Sequence, residues 1–140
     1  MASESVSVRI QSDTKHWLER FSLSRGSVSS AAARLIEEAR RRETFRFIDF
    51  QDTSFGRLAY VQGTRIAVYF AWLTAQDHKF DAEKLAQHFQ WSLAKAESVL
   101  AYSERFSAEI QQDAAHHAEL DEFESLKSLL PNLQTTAMKG

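Results

Sequence analysis

The sequence predicts a mainly α protein with short β elements: a strand followed by two helices, then a small β-hairpin with a three-helix unit, then a C-terminal amphipathic helix. Three observations predict this. Glycine occurs only at 26, 56, 63 and 140 and proline only at 131, so long stretches lack the residues that interrupt helices. Apolar residues recur at spacings of three and four through most of the chain, the period of one buried helical face. Residues 5–11 instead alternate apolar and polar, the period of a strand. With 140 residues, 44% apolar and 26% charged, the chain is large enough for a core and small enough for one domain plus a dimerising arm.

In the first element Val6, Val8 and Ile10 share one face, and Ser5, Ser7, Arg9 and Gln11 share the other. No second strand-like run follows nearby. An isolated two-faced strand of this length is unstable in water, so its partner is expected from another molecule and the chain is expected to form a homodimer. Ser12 or Asp13 is placed to cap a helix burying Trp17, Leu18 and Phe21 and closing near Arg25 and Gly26. Ser27 or Ser29 is placed to cap the next, with Val28, Ala32, Leu35, Ile36 and Ala39 as its buried stripe and Arg40, Arg41 and Arg42 in its last turn.

Strand, helix, glycine turn and serine-capped helix, in that order across residues 5–43, resemble the ribbon-helix-helix family. The resemblance implies that two copies pair their strands into a ribbon that enters the major groove of DNA. Carried over by position, Ser5, Ser7 and Arg9 become the base readers, Arg9 foremost because a guanidinium donates two hydrogen bonds to guanine. Ser27, Val28 and Ser29, at the start of the second helix, would offer backbone N–H groups to a phosphate. Charge is distributed accordingly. Residues 1–43 hold eight Lys/Arg against six Asp/Glu (+2), residues 44–112 seven against eight (−1), and residues 113–140 two against five (−3), for a net −2. The bland alternatives are an edge strand with a solvated Arg9 and a solvated arginine-rich helix end.

Beyond the arm, residues 45–50 and 57–61 read as two short strands joined through Asp52, Ser54 and Gly56. Helices are expected from about Ala67 to Gln76, after an Asp81 cap with Leu85, Ala86 and Phe89 inward, and after a Ser92 cap with Leu93, Ala96, Val99, Leu100, Phe106 and Ile110 inward. The run from Ala59 to Val68, containing Gly63, Thr64 and Arg65, together with the capped helices after it, looks like the domain-of-unknown-function family 433, whose members are frequently antitoxins. Ala67 departs from that pattern, where many members have proline. Gly63 is expected to serve backbone geometry, and Thr64 and Arg65 local hydrogen bonding. The helices after Asp81 and Ser92 also suit a helix-turn-helix, but the second opens with one cation, Lys95, so protein packing is the expected use.

From Asp113 the chain turns acidic, and Leu120, Phe123, Leu126, Leu129, Leu130 and Leu133 recur every three or four residues before Pro131 ends the helix. Such a stripe suits a hydrophobic groove on a partner, here a cognate toxin, or else the chain's own dimer.

No cysteine is present, which excludes disulfides and thiolate metal sites. Histidines at 16, 78, 88, 116 and 117 have no metal-ligand spacing, and no phosphate loop or nucleophile–base pair is recognisable, so neither metal, cofactor nor catalytic residue is expected. Asp49, Asp52 and Asp77 are scattered in turns, as caps commonly are. The longest uncharged run, Ile66 to Gln76, is too short for a bilayer, and a cytoplasmic protein without membrane contact is expected. The sequence therefore points to an antitoxin of a type II toxin-antitoxin system, binding operator DNA as a repressor of its own operon and neutralising a toxin that the resemblance makes a PIN-like ribonuclease. The alternative is a stand-alone ribbon-helix-helix repressor with a regulatory or oligomerisation domain. A scaffold without DNA affinity is a third reading.

Overall fold

The computed structural model describes residues 3–23, 26–54 and 56–129, with side chains to residue 119. Mainly helical, the described chain runs α1 (Ser12–Ser22), α2 (Val28–Thr44), β1 (Ile48–Thr53), β2 (Gly56–Val61), α3 (Val68–Asp77), α4 (Ala82–Phe89), α5 (Leu93–Arg105) and α6 (Ser107–Leu129). It divides into two compact units, residues 1–43 and 44–140.

In the first unit, residues 3–11 carry no secondary structure in the single chain. Gln11, extended at φ −68° and ψ 153°, is the residue before α1, and its carbonyl accepts from the Lys15 N–H at 3.0 Å. Ser12 and Asp13 are therefore first-turn residues and not the cap, although a carboxylate there still complements the helix dipole. Leu18 and Ser22 are buried, and Trp17 stacks on Phe21 with ring centroids 5.5 Å apart. Gly26 takes φ +91°, and Ser27 caps α2 through its Oγ, which accepts from the Ser30 N–H at 3.0 Å. Ser29 lies within the helix.

The buried face of α2 differs from the expected stripe. Ala31, Glu38 and Arg41 are buried, whereas Val28 and Ile36 are 38% and 62% exposed and Ala39 is exposed. On a helix of 3.6 residues per turn that is a rotation of roughly a third of a turn. Glu38 tolerates burial because Arg34 pairs with it at 2.9 Å and Arg42 lies at 3.9 Å. The apolar stripe read from the sequence is real as a pattern, but among the described residues it is only partly covered, with Ala32 and Leu35 half-buried and Val28, Ile36 and Ala39 exposed.

In the second unit β1 and β2 pair antiparallel, Ile48 opposite Val61 and Phe50 opposite Ala59. All four are buried and face the core. The first strand begins at residue 48 and not 45, because Phe47 turns left-handed at φ +68° and the Ser98 hydroxyl donates to the Arg46 carbonyl. This frees Phe45 from the ladder to pack edge-on against Tyr102, centroids 5.3 Å apart. Gly63 sits at φ +75°, where an L side chain is strained, and a β-carbon there would meet nothing within 4 Å, so its role is conformational. Thr64 closes the same turn, its Oγ1 donating to the Val61 carbonyl at 2.8 Å and accepting from the Ile66 N–H at 3.0 Å. Arg65 is exposed and makes no hydrogen bond among the described residues, contrary to the expected local bonding.

Tyr102, Val99 and Ile110 are fully buried beside Val68 and Ala71, and a second cluster joins Ala75, Leu85, Ala86 and Ala96. Asp81 caps α4, accepting from the Lys84 N–H at 3.0 Å, and Ser92 caps α5, accepting from the Lys95 N–H at 3.2 Å. Asp81→Ala removes an acceptor that the exposed N–H can replace with water, so unfolding monitored by circular dichroism should show a loss of about 1 kcal/mol.

The helix expected across residues 93–110 is interrupted at Phe106, with φ −117° and ψ 40°. Its N–H still donates to the Tyr102 carbonyl and its carbonyl accepts from the Ile110 N–H, both at 3.0 Å, so Phe106 itself is bonded on both sides of the break. The ring is held against Tyr102 at 4.8 Å and Phe45 at 5.8 Å. α6 then runs unbroken across residue 113, where a separate tail was expected, and Ile110 and Ala114 near its start are core residues. The three-helix unit and tail are thus four helices, of which the last is rooted in the core.

Candidate functional site

Ser5, Ser7 and Arg9 are exposed, and Arg9 makes no hydrogen bond or ion pair among the described residues. The intervening apolar side chains are uncovered too: Val6 is 80%, Val8 71% and Ile10 47% exposed. Burial of three such side chains would be worth about 1.5–3 kcal/mol each. At the start of α2, Ser27 Oγ accepts from one backbone N–H and donates to the Ser30 hydroxyl at 3.0 Å. Val28 and Ser29 are exposed there, and the Ala31 N–H is already bonded to the Ser27 carbonyl.

The arginines at the other end of α2 are tied down. Arg40 grips Glu37 with two bonds of 2.6 and 3.0 Å, and Arg41 reaches the same carboxylate at 3.1 Å. The Arg40 hydrogen bond holds the Glu37 carboxyl below the usual carboxylate range, partly opposed by desolvation, and Glu37 in turn raises Arg40. Phosphate contact by this triplet would have to displace helical ion pairs already made.

Of the residues expected to meet a toxin, Leu120, Phe123, Leu126 and Leu129 lie in the helical backbone of α6. Leu130 and Leu133 fall outside the described residues. The aspartates have local duties: Asp49 Oδ1 accepts from the Phe50 N–H at 2.8 Å, and Asp52 faces Arg57 at 3.4 Å. His116 and His117 hold their rings 5.8 Å apart and nearly perpendicular, and no group of three or more potential metal ligands occurs among the described residues. No helix among them is long and apolar enough to cross a membrane.

Gln90, left-handed at φ 59° and ψ 43°, turns α4 into α5. Lys95, the one cation in the first turn of α5, has its ammonium 5.8 Å from the ring centroids of both Phe47 and Trp91. It packs on aromatic faces of its own unit.

A feature the sequence did not disclose is a cleft of about 430 Å³ lined by Trp72, Phe80, Leu100, Ser103, Glu104 and Ser107. Its wall depends on how α3 ends. The Phe80 N–H donates to the Ala75 carbonyl at 2.7 Å and the Lys79 N–H to the Gln76 carbonyl at 3.1 Å, the pair of bonds that often closes a helix over a glycine. Here Lys79 (φ +55°) and Phe80 (φ +59°) are both left-handed, a conformation costing about 1–2 kcal/mol for an L residue. The result sets the Phe80 ring 6.4 Å from Trp72 and leaves Phe80 49% exposed. Trp72 and Leu100 carry helical spacing and read as core residues, while Phe80 and Glu104 have no local mark, so only the folded chain brings the four together. A second, more polar cleft of about 450 Å³ lies along β2 and α6, between Arg57, Leu58, Gln112, Asp113, His116 and Glu119.

No protein-family model matches the chain, and neither a curated protein nor a solved structure does.

Proposed function

We propose that the protein is a non-catalytic antitoxin that dimerises through residues 5–11, presents Ser5, Ser7 and Arg9 to the major groove of its operator, and neutralises a cognate toxin through the far part of α6. The observation that carries this reading is the uncovered Val6, Val8 and Ile10 face, alternating with an unengaged Arg9, on a segment with no partner strand among the described residues. The open stripe of α2, at Val28 and Ile36, supports a second copy as the partner. The Val28 and Ser29 N–H groups, which donate to nothing among the described residues, support a phosphate at the start of α2. Toxin binding and the ribonuclease nature of the toxin rest on the resemblance of residues 59–68 and on the leucine spacing beyond Glu119.

Co-expression with the product of the neighbouring reading frame tests the antitoxin half. A chain ending at Glu119 keeps the core residues Ile110 and Ala114 and removes Leu120 to Leu133. It should retain DNA binding and lose toxin neutralisation; full neutralisation by the shortened chain would show that the leucine stripe is not the toxin contact. The cleft at Trp72 and Phe80 favours a second reading, a stand-alone repressor whose second unit senses a ligand. Absence of any co-purifying neighbour product would favour it.

A further inference from the structure

We propose that the cleft between Trp72, Phe80 and Glu104 binds an organic cation with an aliphatic stem, an alkylammonium or alkylguanidinium group. The inference goes beyond the antitoxin reading and does not depend on it. The walls are apolar, two aromatic rings inclined at 44° and the Leu100 side chain, and the volume of about 430 Å³ admits a small ligand or one long side chain.

The polar part of the lining decides the sign of the charge. Among the described residues, Glu104 is the one ionisable group lining the cleft, and it makes no ion pair or hydrogen bond with any of them. The Ser103 hydroxyl gives its proton to the Val99 carbonyl at 2.8 Å, so the oxygen facing a ligand can only accept. A lining of one carboxylate and two ring faces, with no cation among the described residues that form it, suits an N–H donor carrying positive charge, and the Ser107 hydroxyl can serve as a further acceptor. An anion would meet the Glu104 carboxylate. A neutral apolar ligand would desolvate that carboxylate without pairing it. The left-handed Lys79 and Phe80 explain how the second ring is placed: a backbone under conformational strain holds a half-exposed phenylalanine opposite Trp72, where burial alone does not require it.

The test uses the full-length, ¹⁵N-labelled protein and follows the indole N–H signals of Trp17, Trp72 and Trp91 during titration. The probes are n-butylammonium and n-butylguanidinium, with 1-butanol and butyrate as controls of the same length. Expected is a saturable shift confined to Trp72 with either cation, and about fivefold or greater weakening in Glu104→Gln, an exposed substitution that leaves the core untouched. Phe80→Ala should weaken the cations likewise. Equal binding of butanol or butyrate, undiminished binding to Glu104→Gln, or no movement of the Trp72 signal would each overturn the proposal. Nα-acetyl-lysine methylamide separates the two sources of such a group. Binding at least as tight as butylammonium identifies a lysine side chain of a partner protein, and exclusion while butylammonium binds identifies a free amine.

Discussion

Arg9→Ala is expected to remove sequence preference for the operator while leaving the helical content and dimerisation unchanged. Arg9 stands on the polar face of residues 5–11, exposed and making no hydrogen bond or ion pair among the described residues, so its loss disturbs none of theirs. In a symmetric ribbon each operator complex contains two copies. A bidentate arginine–guanine pair discriminates by about 1–3 kcal/mol, and effects at separated positions add, so the double loss is about 2–6 kcal/mol, roughly 30- to 10⁴-fold. Ser5 and Ser7, with one hydroxyl each, should matter less. The measurement is fluorescence anisotropy at one fixed salt concentration, on operator and on scrambled DNA of equal length. Base reading predicts that the two affinities converge. Equal weakening on both sequences would make Arg9 a phosphate contact, and an unaltered preference would remove the ribbon reading altogether. Val8→Asp supplies the contrast, since it acts on the opposite face: it should break the dimer first and weaken DNA binding only as a consequence.

The same segment marks a division between what was legible in the sequence and what was not. Local signals transferred well. Asp81 and Ser92 cap the helices they precede because an N-cap is decided within four residues of chain, and Gly63 marks a left-handed turn for the same reason. Phe47, Lys79 and Phe80 take that conformation without being glycine, held by bonds to distant or preceding backbone, and nothing in their identity announces it. The misplacements are non-local. The first strand starts three residues late where Phe47 turns left-handed and frees Phe45 to pack on Tyr102, and the 93–110 helix bends where Phe106 packs on Phe45 and Tyr102. In α2 periodicity identified an apolar stripe but could not say which molecule covers it; the face buried within the chain carries Glu38, a residue no apolar pattern would place inside. The cleft was illegible for a related reason. Its walls come from α3, the turn after it, and the α5–α6 bend, and that bend was itself unforeseen.

Because two of these departures converge on one side chain, Tyr102→Ala should be the most damaging single substitution to the second unit. Tyr102 is completely buried, with ring centroids 5.3 Å from Phe45, 6.4 Å from Phe50 and 4.8 Å from Phe106. These contacts join the turn before β1, the hairpin and the helix bend. Truncating a buried aromatic to alanine costs about 3–5 kcal/mol, a large share of the 5–15 kcal/mol by which a small domain is stable. For a unit of this size that lowers the midpoint of thermal unfolding by roughly 15–30 °C, measurable by circular dichroism. Tyr102→Phe keeps the ring and its packing, so it should lose far less, which separates packing from the hydroxyl. The consequence for function is selective. The residues expected to read DNA lie in the unit of residues 1–43, so Tyr102→Ala should retain Arg9-dependent operator binding near 25 °C while losing the cation-induced shift of Trp72. Simultaneous loss of both would mean that the second unit is required to hold the DNA-binding arm in its active form.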